Sequence, residues 1–214
     1  MNALPHEIER ESFRIIQQEL GEHTFSPQEL MIVTRVIHAT ADFEYRHLLR
    51  FHPQAIASGI AALRRGATIV TDVQMVQVGI GDGMASFLNN EIVCDIRHPE
   101  VYAAAKATNT TRAALGMRRN AARLEQGIAV IGNAPTALLE VIRLVEAEDI
   151  RPALIVGVPV GFVNAAESKA ALAQLDAPHI TTVGRKGGST VAAAIVNALL
   201  RMAMETERAE SKAA

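Results

Sequence analysis

The sequence predicts an α/β protein whose parallel sheet carries helices on both faces. Short segments rich in β-branched and other apolar residues recur along the chain, and segments of helical length separate them. The apolar segments do not alternate with polar residues, which is typical of strands that are covered on both sides. We therefore predict a doubly wound parallel sheet of five strands with an N-terminal prelude of helices, all in a single domain over residues 1–204.

Three helices are predicted before the first strand. Apolar residues spaced at threes and fours predict a helix over residues 5–20. The string Ser26-Pro27-Gln28-Glu29 contains an N-cap, a first-turn proline and a capping-box acid, so a second helix is expected over residues 27–40. A third helix is expected over residues 53–65, ending before Gly66.

The rest of the chain alternates strands with helices. The predicted strands are 67–71, 92–96, 128–131, 153–158 and 180–183. The predicted crossover helices are 100–108, 111–124, 135–147, 167–175 and 189–202. Residues 205–214 are rich in Glu, Lys and Ala without an apolar stripe, and they are expected to form a frayed tail.

Composition excludes several classes of protein. Among the 214 residues, 49% are hydrophobic and 21% are charged, which is close to an average globular domain and unlike a disordered or collagenous chain. The net charge of -2 gives no general attraction to nucleic acid or to an anionic membrane. The acidic N-terminus lacks the pattern of a signal peptide, and no apolar run is long enough to span a membrane, so a cytoplasmic protein is expected.

Local anion binding is compatible with this charge balance. The turns Gly132–Thr136 and Gly187–Thr190 each lead from a strand into a helix, where free backbone N–H groups bind anions, and Arg185 and Lys186 precede the second turn. Alternatively, both turns are ordinary helix caps, with Asn133 and Thr136 as capping groups. The count of Arg among the basic residues, 17 of 21, fits carboxylate recognition or a GC-rich genome, and composition alone favours the genome.

Several catalytic and cofactor motifs are absent from the sequence. The stretch from Gly79 to Gly83 resembles a dinucleotide fingerprint, but Met84 stands where its last glycine is needed. The string at 184–189 lacks the spacing of a nucleotide-triphosphate loop, and the histidines lack metal-ligand spacing. Cys94, the only cysteine, falls inside a predicted strand and is interpreted as an inert core thiol.

His38 is the candidate acid catalyst. It lies at the end of a predicted helix, where the dipole stabilises an imidazolium. Arg35 lies one turn earlier, and Asp42 would lie one turn later if the helix continued, close enough to orient the ring. A histidine that only caps the helix is the alternative interpretation.

Five strings of the sequence resemble one known family. They are RVIHATADF at 35–43, TDVQMV at 71–76, GNAPTA at 132–137, GVPVGFVNAAESK at 157–169 and GRKGGS at 184–189. In this order they are similar to the precorrin-8X methylmutases, also called precorrin isomerases or cobalt-precorrin-8 methylmutases, and the similarity extends over residues 8–202. The resemblance implies a flavodoxin-like sheet and a homodimer whose active sites lie near the subunit interface.

The resemblance also implies an activity. Members of the family are isomerases of cobalamin biosynthesis that move a methyl group on ring C of precorrin-8X or cobalt-precorrin-8, which yields hydrogenobyrinate or cobyrinate without a cofactor or a protein-bound metal. The histidine that donates a proton in the family matches His38. Some members carry Thr and Arg where this chain has Ile80-Gly81-Asp82-Gly83, so we assign no substrate contact to that loop.

The residues expected to bind the carboxylate-rich substrate combine the strand-end positions with those that match the family. They are Ser12, Arg35, Thr71, Arg112, Asn133, Thr136, Arg185, Lys186, Gly187, Gly188 and Ser189. A non-catalytic corrinoid-binding or carrier protein is the alternative function, and a flavin or nucleotide binder is a third that lacks its phosphate loop. The sequence leaves open whether the substrate already contains cobalt.

Overall fold

The computed structural model describes the backbone of residues 5–213 and the side chains of residues 7–81 and 83–207. The helices are α1 (Pro5–Leu20), α2 (Pro27–Thr40), α3 (Tyr45–Leu48), α4 (Ala55–Arg64), α5 (Gln74–Gly79), α6 (Asp82–Phe87), α7 (Pro99–Thr108), α8 (Arg112–Arg119), α9 (Ala121–Leu124), α10 (Pro135–Glu148), α11 (Ala165–Leu172) and α12 (Ser189–Ala213). The strands are β1 (Leu49–Phe51), β2 (Ile69–Thr71), β3 (Ile92–Val93), β4 (Ile128–Ile131), β5 (Leu154–Gly157) and β6 (His179–Thr182).

Within the described residues the strands form one six-stranded sheet in the order β1-β6-β5-β4-β2-β3. Strands β2 to β6 pair in parallel, and each of them overlaps a predicted strand. The prediction of five strands was incomplete, because β1 pairs antiparallel with β6 at one edge. The three residues of β1 directly follow α3, so neither an apolar run nor a turn signal marks this strand in the sequence.

Alternate residues of the parallel strands enter two separate cores. Ile128 and Val130 of β4 belong to the core that includes buried residues of α2, α4 and α12. Ala129 and Ile131 belong to the core on the opposite side, with buried residues of α8 and α10. Side chains of a strand point alternately to opposite faces, so helices cover both faces of the sheet and the strands carry apolar residues throughout.

Helix α2 begins as the sequence predicts. The hydroxyl of Ser26 accepts a hydrogen bond from the Glu29 N–H (3.3 Å), and the Glu29 carboxylate accepts one from the Ser26 N–H (2.8 Å). The helix ends at Thr40, because Ala41 adopts the left-handed conformation with φ of 53° and donates its N–H to the Ile37 carbonyl. The chain therefore turns before Asp42, and Asp42 does not lie on the helix that carries His38.

Several predicted helix boundaries differ from the structure. The predicted helix 111–124 is divided into α8 and α9 at Asn120, and α5 and α6 occupy the segment around the predicted 79–83 loop. Helix α12 continues to Ala213, so the backbone of the expected tail is helical as far as it is described, and Arg64 forms an ion pair with Glu207 there (3.0 Å). No helix in the described part of the chain is long and apolar enough to cross a membrane.

The strand order reverses beside β2. Strand β3 lies on one side of β2, and β4, the next strand along the chain, lies on the other. Ligands of open α/β sheets bind outside the carboxyl ends of the strands at such a reversal. The first residues after β2 and β4 are Asp72 and Gly132, and these two segments therefore meet at the expected ligand-binding edge.

The contact between α8 and α10 carries a charged cluster centred on Glu140. Glu140 is 7% exposed and accepts hydrogen bonds from Arg118 (2.9 Å from both donor nitrogens) and from Arg143 (2.7 Å). Burial alone would raise the pKa of Glu140, but the hydrogen bonds from the two arginines hold its pKa below the ordinary value. Near the helix starts, the hydroxyls of Thr111 and Thr136 are 2.7 Å apart.

We predict that Glu140→Gln lowers the free energy of unfolding by about 1.5–3 kcal/mol at neutral pH, because it weakens charge-assisted hydrogen bonds. The folded-state pKa is lowered, so this stability is present above the unfolded-state pKa and is lost as pH falls through the folded-state pKa. Urea unfolding at neutral and acidic pH measures the difference. The exposed Glu146→Gln on the same helix is the control, and equal effects of the two substitutions would contradict the prediction.

Candidate active site

Asp72 closes the first glycine-rich turn. Its carboxylate accepts the backbone N–H groups of Gly132 (3.1 Å), Asn133 (2.8 Å) and Ala134 (2.7 Å). The residue is 2% exposed, and burial raises its pKa while the three N–H groups favour the ionised form. The prediction of free N–H groups at this turn was therefore wrong, because the protein's own carboxylate occupies them.

The predicted site residues around this turn differ in accessibility. Thr71 is 3% exposed and donates its hydroxyl to the Val93 carbonyl (3.2 Å), which places it inside the sheet rather than at a ligand surface. Asn133 is exposed, and Thr136 is partly buried against Thr111. Neither acts as the predicted cap, since the N-cap of α10 is Ala134 without a side-chain hydrogen bond.

The second turn, between β6 and α12, has its carbonyl groups held from the protein side. The Arg185 carbonyl accepts from the Gly161 N–H (3.2 Å), and the Gly187 carbonyl accepts from the Tyr45 hydroxyl (3.3 Å). The Lys186 carbonyl accepts from Lys169 Nζ (2.6 Å). In contrast to the first turn, the N–H groups of Lys186 and Gly187 donate to no described residue.

Glycine is required in this second turn for steric reasons. A Cβ atom on Gly187 would lie 2.2 Å from the Val158 carbonyl oxygen, so the turn packs directly on the loop that follows β5. Gly188 has a φ of 124° and donates its N–H to the same carbonyl (2.9 Å). The segment from Arg185 to Ser189 is thus a rigid, anchored turn that leads into α12.

The two basic side chains of the second turn have different environments. Lys186 is bound to Asp42 (2.5 Å) and Glu44 (2.6 Å), whose hydrogen bonds raise its pKa. The Lys186 side chain, which the sequence assigned to substrate binding, is therefore already paired within the protein. Arg185 is exposed, and its guanidinium lies 5.4 Å from the centre of the Phe162 ring.

His38 lies on α2 beside Phe13 of α1, with the two rings edge to face and 5.1 Å apart. Among the described residues no ion pair joins it to Asp42; the carboxylate binds Lys186, which lowers the pKa of Asp42. The predicted pairing of His38 with Asp42 was therefore wrong, because α2 ends at Thr40. His38 is exposed and lines a cavity of about 220 Å³ with Arg35 and with the α12 residues Thr190, Ala193, Ala194 and Asn197.

Arg35 lies next to His38, and both side chains contact the Phe13 ring. The Arg35 guanidinium lies 5.1 Å from the centre of the Phe13 ring and pairs with Glu9 (3.2 Å), and burial lowers its pKa. Ser12 precedes Phe13, and its hydroxyl donates to the Ile8 carbonyl of the same helix (2.8 Å). Arg112 lies elsewhere, at the start of α8, exposed and 5.9 Å from the Tyr102 ring. The structure brings together His38 and Arg35, whereas the Ser12 hydroxyl bonds within α1 and Arg112 lies on a different helix pair.

Exposed apolar side chains occur near the carboxyl ends of β2 and β5. Phe162 and Val163 follow β5 and are 84% and 77% exposed, and Met75 and Val78 on α5 are 69% and 79% exposed. A contiguous patch of exposed apolar side chains marks a surface that a ligand or another protein covers. In the part of the chain whose side chains are described, His, Cys, Asp and Glu form no group of three that could hold a metal ion.

Sequence analysis missed three residues that shape this edge, Asp72, Tyr45 and Lys169. Asp72 was recognisable as the first charged residue after a buried strand. The only sequence feature that marked Lys169 was its position as a lysine in an alanine-rich helix that packs on the sheet. No local pattern marked Tyr45, because its partner Gly187 is 142 residues away in the sequence.

Comparison with known proteins finds one consistent set of relatives. A sequence profile of the family described as precorrin-8X methylmutase matches residues 7–202. The chain is 50% identical over 199 residues to a cobalt-precorrin-8 methylmutase of Priestia megaterium, covering 93% of this chain and 88% of that protein. It is 40% identical over 194 residues to a precorrin-8X methylmutase of Pseudomonas aeruginosa, covering 90% and 93%. A crystal structure of precorrin-8X methylmutase from Thermus thermophilus superposes with a TM-score of 0.89 at 45% identity, covering 94% and 97%.

We predict that Asp72→Asn lowers the free energy of unfolding by about 1.5–3 kcal/mol, because one amide oxygen cannot replace a carboxylate that accepts three N–H groups. Urea unfolding measures the loss, and the fully exposed Asp176→Asn provides the control. An Asp72→Asn protein as stable as the control would show that the first turn does not depend on this carboxylate.

Proposed function

The chain belongs to the precorrin-8X methylmutase family, and we propose that His38 and the second turn form its active site. The protein is a mutase that moves a methyl group within a corrinoid precursor during cobalamin biosynthesis. The relatives' names support this enzyme and not a non-catalytic carrier. We propose the cobalt-containing substrate, because the relatives at 46–50% identity are named cobalt-precorrin-8 methylmutases.

The cavity beside His38 is the observation that carries the catalytic assignment. It holds one exposed imidazole together with Arg35, and its other wall is the start of α12, which directly follows the second turn. A methyl shift between neighbouring carbons needs a proton donor at the macrocycle and no external group acceptor, so one positioned acid suffices. His38 therefore acts as the general acid, and the Arg35 charge favours a carboxylate arm of the substrate nearby.

The second turn serves as the carboxylate receptor. Its outward N–H groups at Lys186 and Gly187 and the exposed Arg185 guanidinium offer neutral and charged donors to one acid arm. Lys186 contributes its backbone rather than its side chain, which two carboxylates already hold. Ser189 continues the receptor into α12, whereas Gly188, predicted to bind the substrate, only shapes the turn because its N–H donates to the Val158 carbonyl. Ser12, Arg112, Asn133 and Thr136 are proposed for the remaining arms.

We further propose a cytoplasmic homodimer. The exposed Phe162, Val163, Met75 and Val78 would be covered by a second copy or by the macrocycle, which fits an active site near the interface. The order of the parallel strands, β3-β2-β4-β5-β6, supports classifying the sheet as flavodoxin-like. We propose no cofactor, because the rearrangement is intramolecular.

We predict that His38→Ala lowers kcat by about 10²–10⁴-fold, since general acid catalysis contributes this much. Cobyrinic acid, the product of the cobalt route, should bind the variant nearly as well as the wild type, because the acid acts at the transition state and does not hold the carboxylates. Steady-state kinetics and titration calorimetry measure the two effects. His47→Ala, at an exposed histidine, is the control, and a folded His38→Ala enzyme with nearly full activity would exclude His38 as the acid.

We predict that Arg185→Ala weakens product binding by about 1.5–3 kcal/mol, through loss of a charge-assisted hydrogen bond. Binding should also depend less on salt, because one charge pair has been removed. Calorimetric titrations at low and high salt test this, with the exposed Arg151→Ala as control. Normal binding with a lower melting temperature would mean that Arg185 only stabilises the turn.

A further inference from the structure

Lys169 is a buried cation with no counterion. Its side chain is 1% exposed, and it lies on α11 against the sheet. In the described part of the chain no carboxylate lies within ion-pair distance of its Nζ atom. Burying an unpaired charge costs folding free energy, so packing alone does not account for a lysine at this position.

The contacts of Lys169 lead to the second turn. Its Nζ donates to the Lys186 carbonyl (2.6 Å) and to the Thr182 hydroxyl (3.1 Å). The Thr182 hydroxyl donates to the same carbonyl (2.8 Å). Two donors from the sheet side thus hold one carbonyl, and one of these donors is a full positive charge.

Peptide geometry transmits this anchoring to the outer side of the turn. The described chain has no cis peptide bond, and in a trans peptide the C=O and N–H groups point in opposite directions. The Lys186 carbonyl points inward to Lys169, so the N–H of Gly187 in the same peptide points outward. That N–H has no partner among the described residues.

We propose that Lys169 is a positioning residue for the methylmutase: through the Lys186 carbonyl it orients and polarises the Lys186–Gly187 peptide, so that the Gly187 N–H binds a substrate carboxylate and Lys169 takes up a proton on binding. This proposal rests on the proposed function, and it adds a buried charge to the carboxylate receptor. A cation on a carbonyl oxygen strengthens the N–H donor of the same peptide, because hydrogen bonds in series polarise one another.

The linkage to protons follows from burial. Desolvation lowers the pKa of Lys169 to about 8 in the unliganded protein. A carboxylate bound at the other end of the peptide favours the charged amine and raises that pKa. The charged amine therefore strengthens binding fully below the pKa of the free protein, and this contribution is lost as pH rises through the higher pKa of the complex. Protons are taken up on binding only in the pH range between the two values.

Other titratable and charged groups face Lys169 from the elements packed around it. Burial lowers the pKa of His179 on β6, and burial raises the pKa of Tyr45 on α3. The carboxylates of Asp42 and Glu44 raise the pKa of Lys186 on the turn. Arg50 and His52 line the cavity beside Lys169, from β1 and the residue after it. Helix α10 packs on α11 through apolar residues that include Leu138 and Leu172.

Titration calorimetry with cobyrinic acid, in buffers of different ionisation enthalpy, tests the proposal. Near about pH 9, above the free-protein pKa of about 8, the wild type should take up a measurable fraction of a proton per site. Lys169→Met should lose this uptake and bind about tenfold more weakly near neutral pH, with KM changed more than kcat. His38→Ala should keep the uptake, which separates Lys169 from the catalytic acid.

Each result decides the question. A folded Lys169→Met protein that takes up the same proton near about pH 9 overturns the proposal, as does a wild type that binds product without uptake. The wild-type measurement needs no variant, so a Lys169→Met protein that fails to fold leaves the test intact. A wild type that binds no cobyrinic acid at any pH overturns the proposed function itself.

Discussion

A buried backbone polar group must find a partner, and two buried side chains of opposite charge meet this requirement at the carboxyl edge of the sheet. Asp72 accepts the N–H groups of the first turn, and Lys169 donates to a carbonyl of the second. Because Asp72 binds the N–H groups of Gly132–Ala134, these donors face inward and the first turn is closed to anions. Because Lys169 binds a carbonyl of the second turn, that carbonyl faces inward and the Gly187 N–H faces outward. Two similar sequences thus give one turn closed by the protein's own carboxylate and one turn with an outward donor, which is the receptor that we propose.

The local sequence carried much of the fold. The capping box of Ser26 and Glu29 needs only neighbours in the chain, and apolar runs such as Ile128–Ile131 identify strands buried on both faces. Strand β1 was not predicted, because three residues at the edge of a sheet are too few to show a hydrophobic pattern. The break at Asn120 and the length of α12 also depend on tertiary packing, which local periodicity does not encode.

The candidate site was less predictable, because its contacts join distant segments. Lys186 lies 144 residues from Asp42 in the sequence, so the ion pair between them could not be predicted from the basic string alone. Asp72 reaches the first turn across about 60 residues. His38 and the second turn were found from local patterns and from the family resemblance, whereas the partners that orient them became visible only in three dimensions.

Under the proposed function, these contacts would let a chain with a net charge of -2 bind a carboxylate-rich macrocycle. The N–H donors of the second turn remain available, while Asp72 occupies the N–H donors of the first turn. A crystal structure of the His38→Ala protein with cobyrinic acid bound is the most direct test of this account. We expect a product carboxylate within hydrogen-bond distance of the Gly187 N–H, with Asp72 still bound to Gly132–Ala134. A carboxylate seated at Gly132–Ala134 instead, with Asp72 displaced, would contradict it.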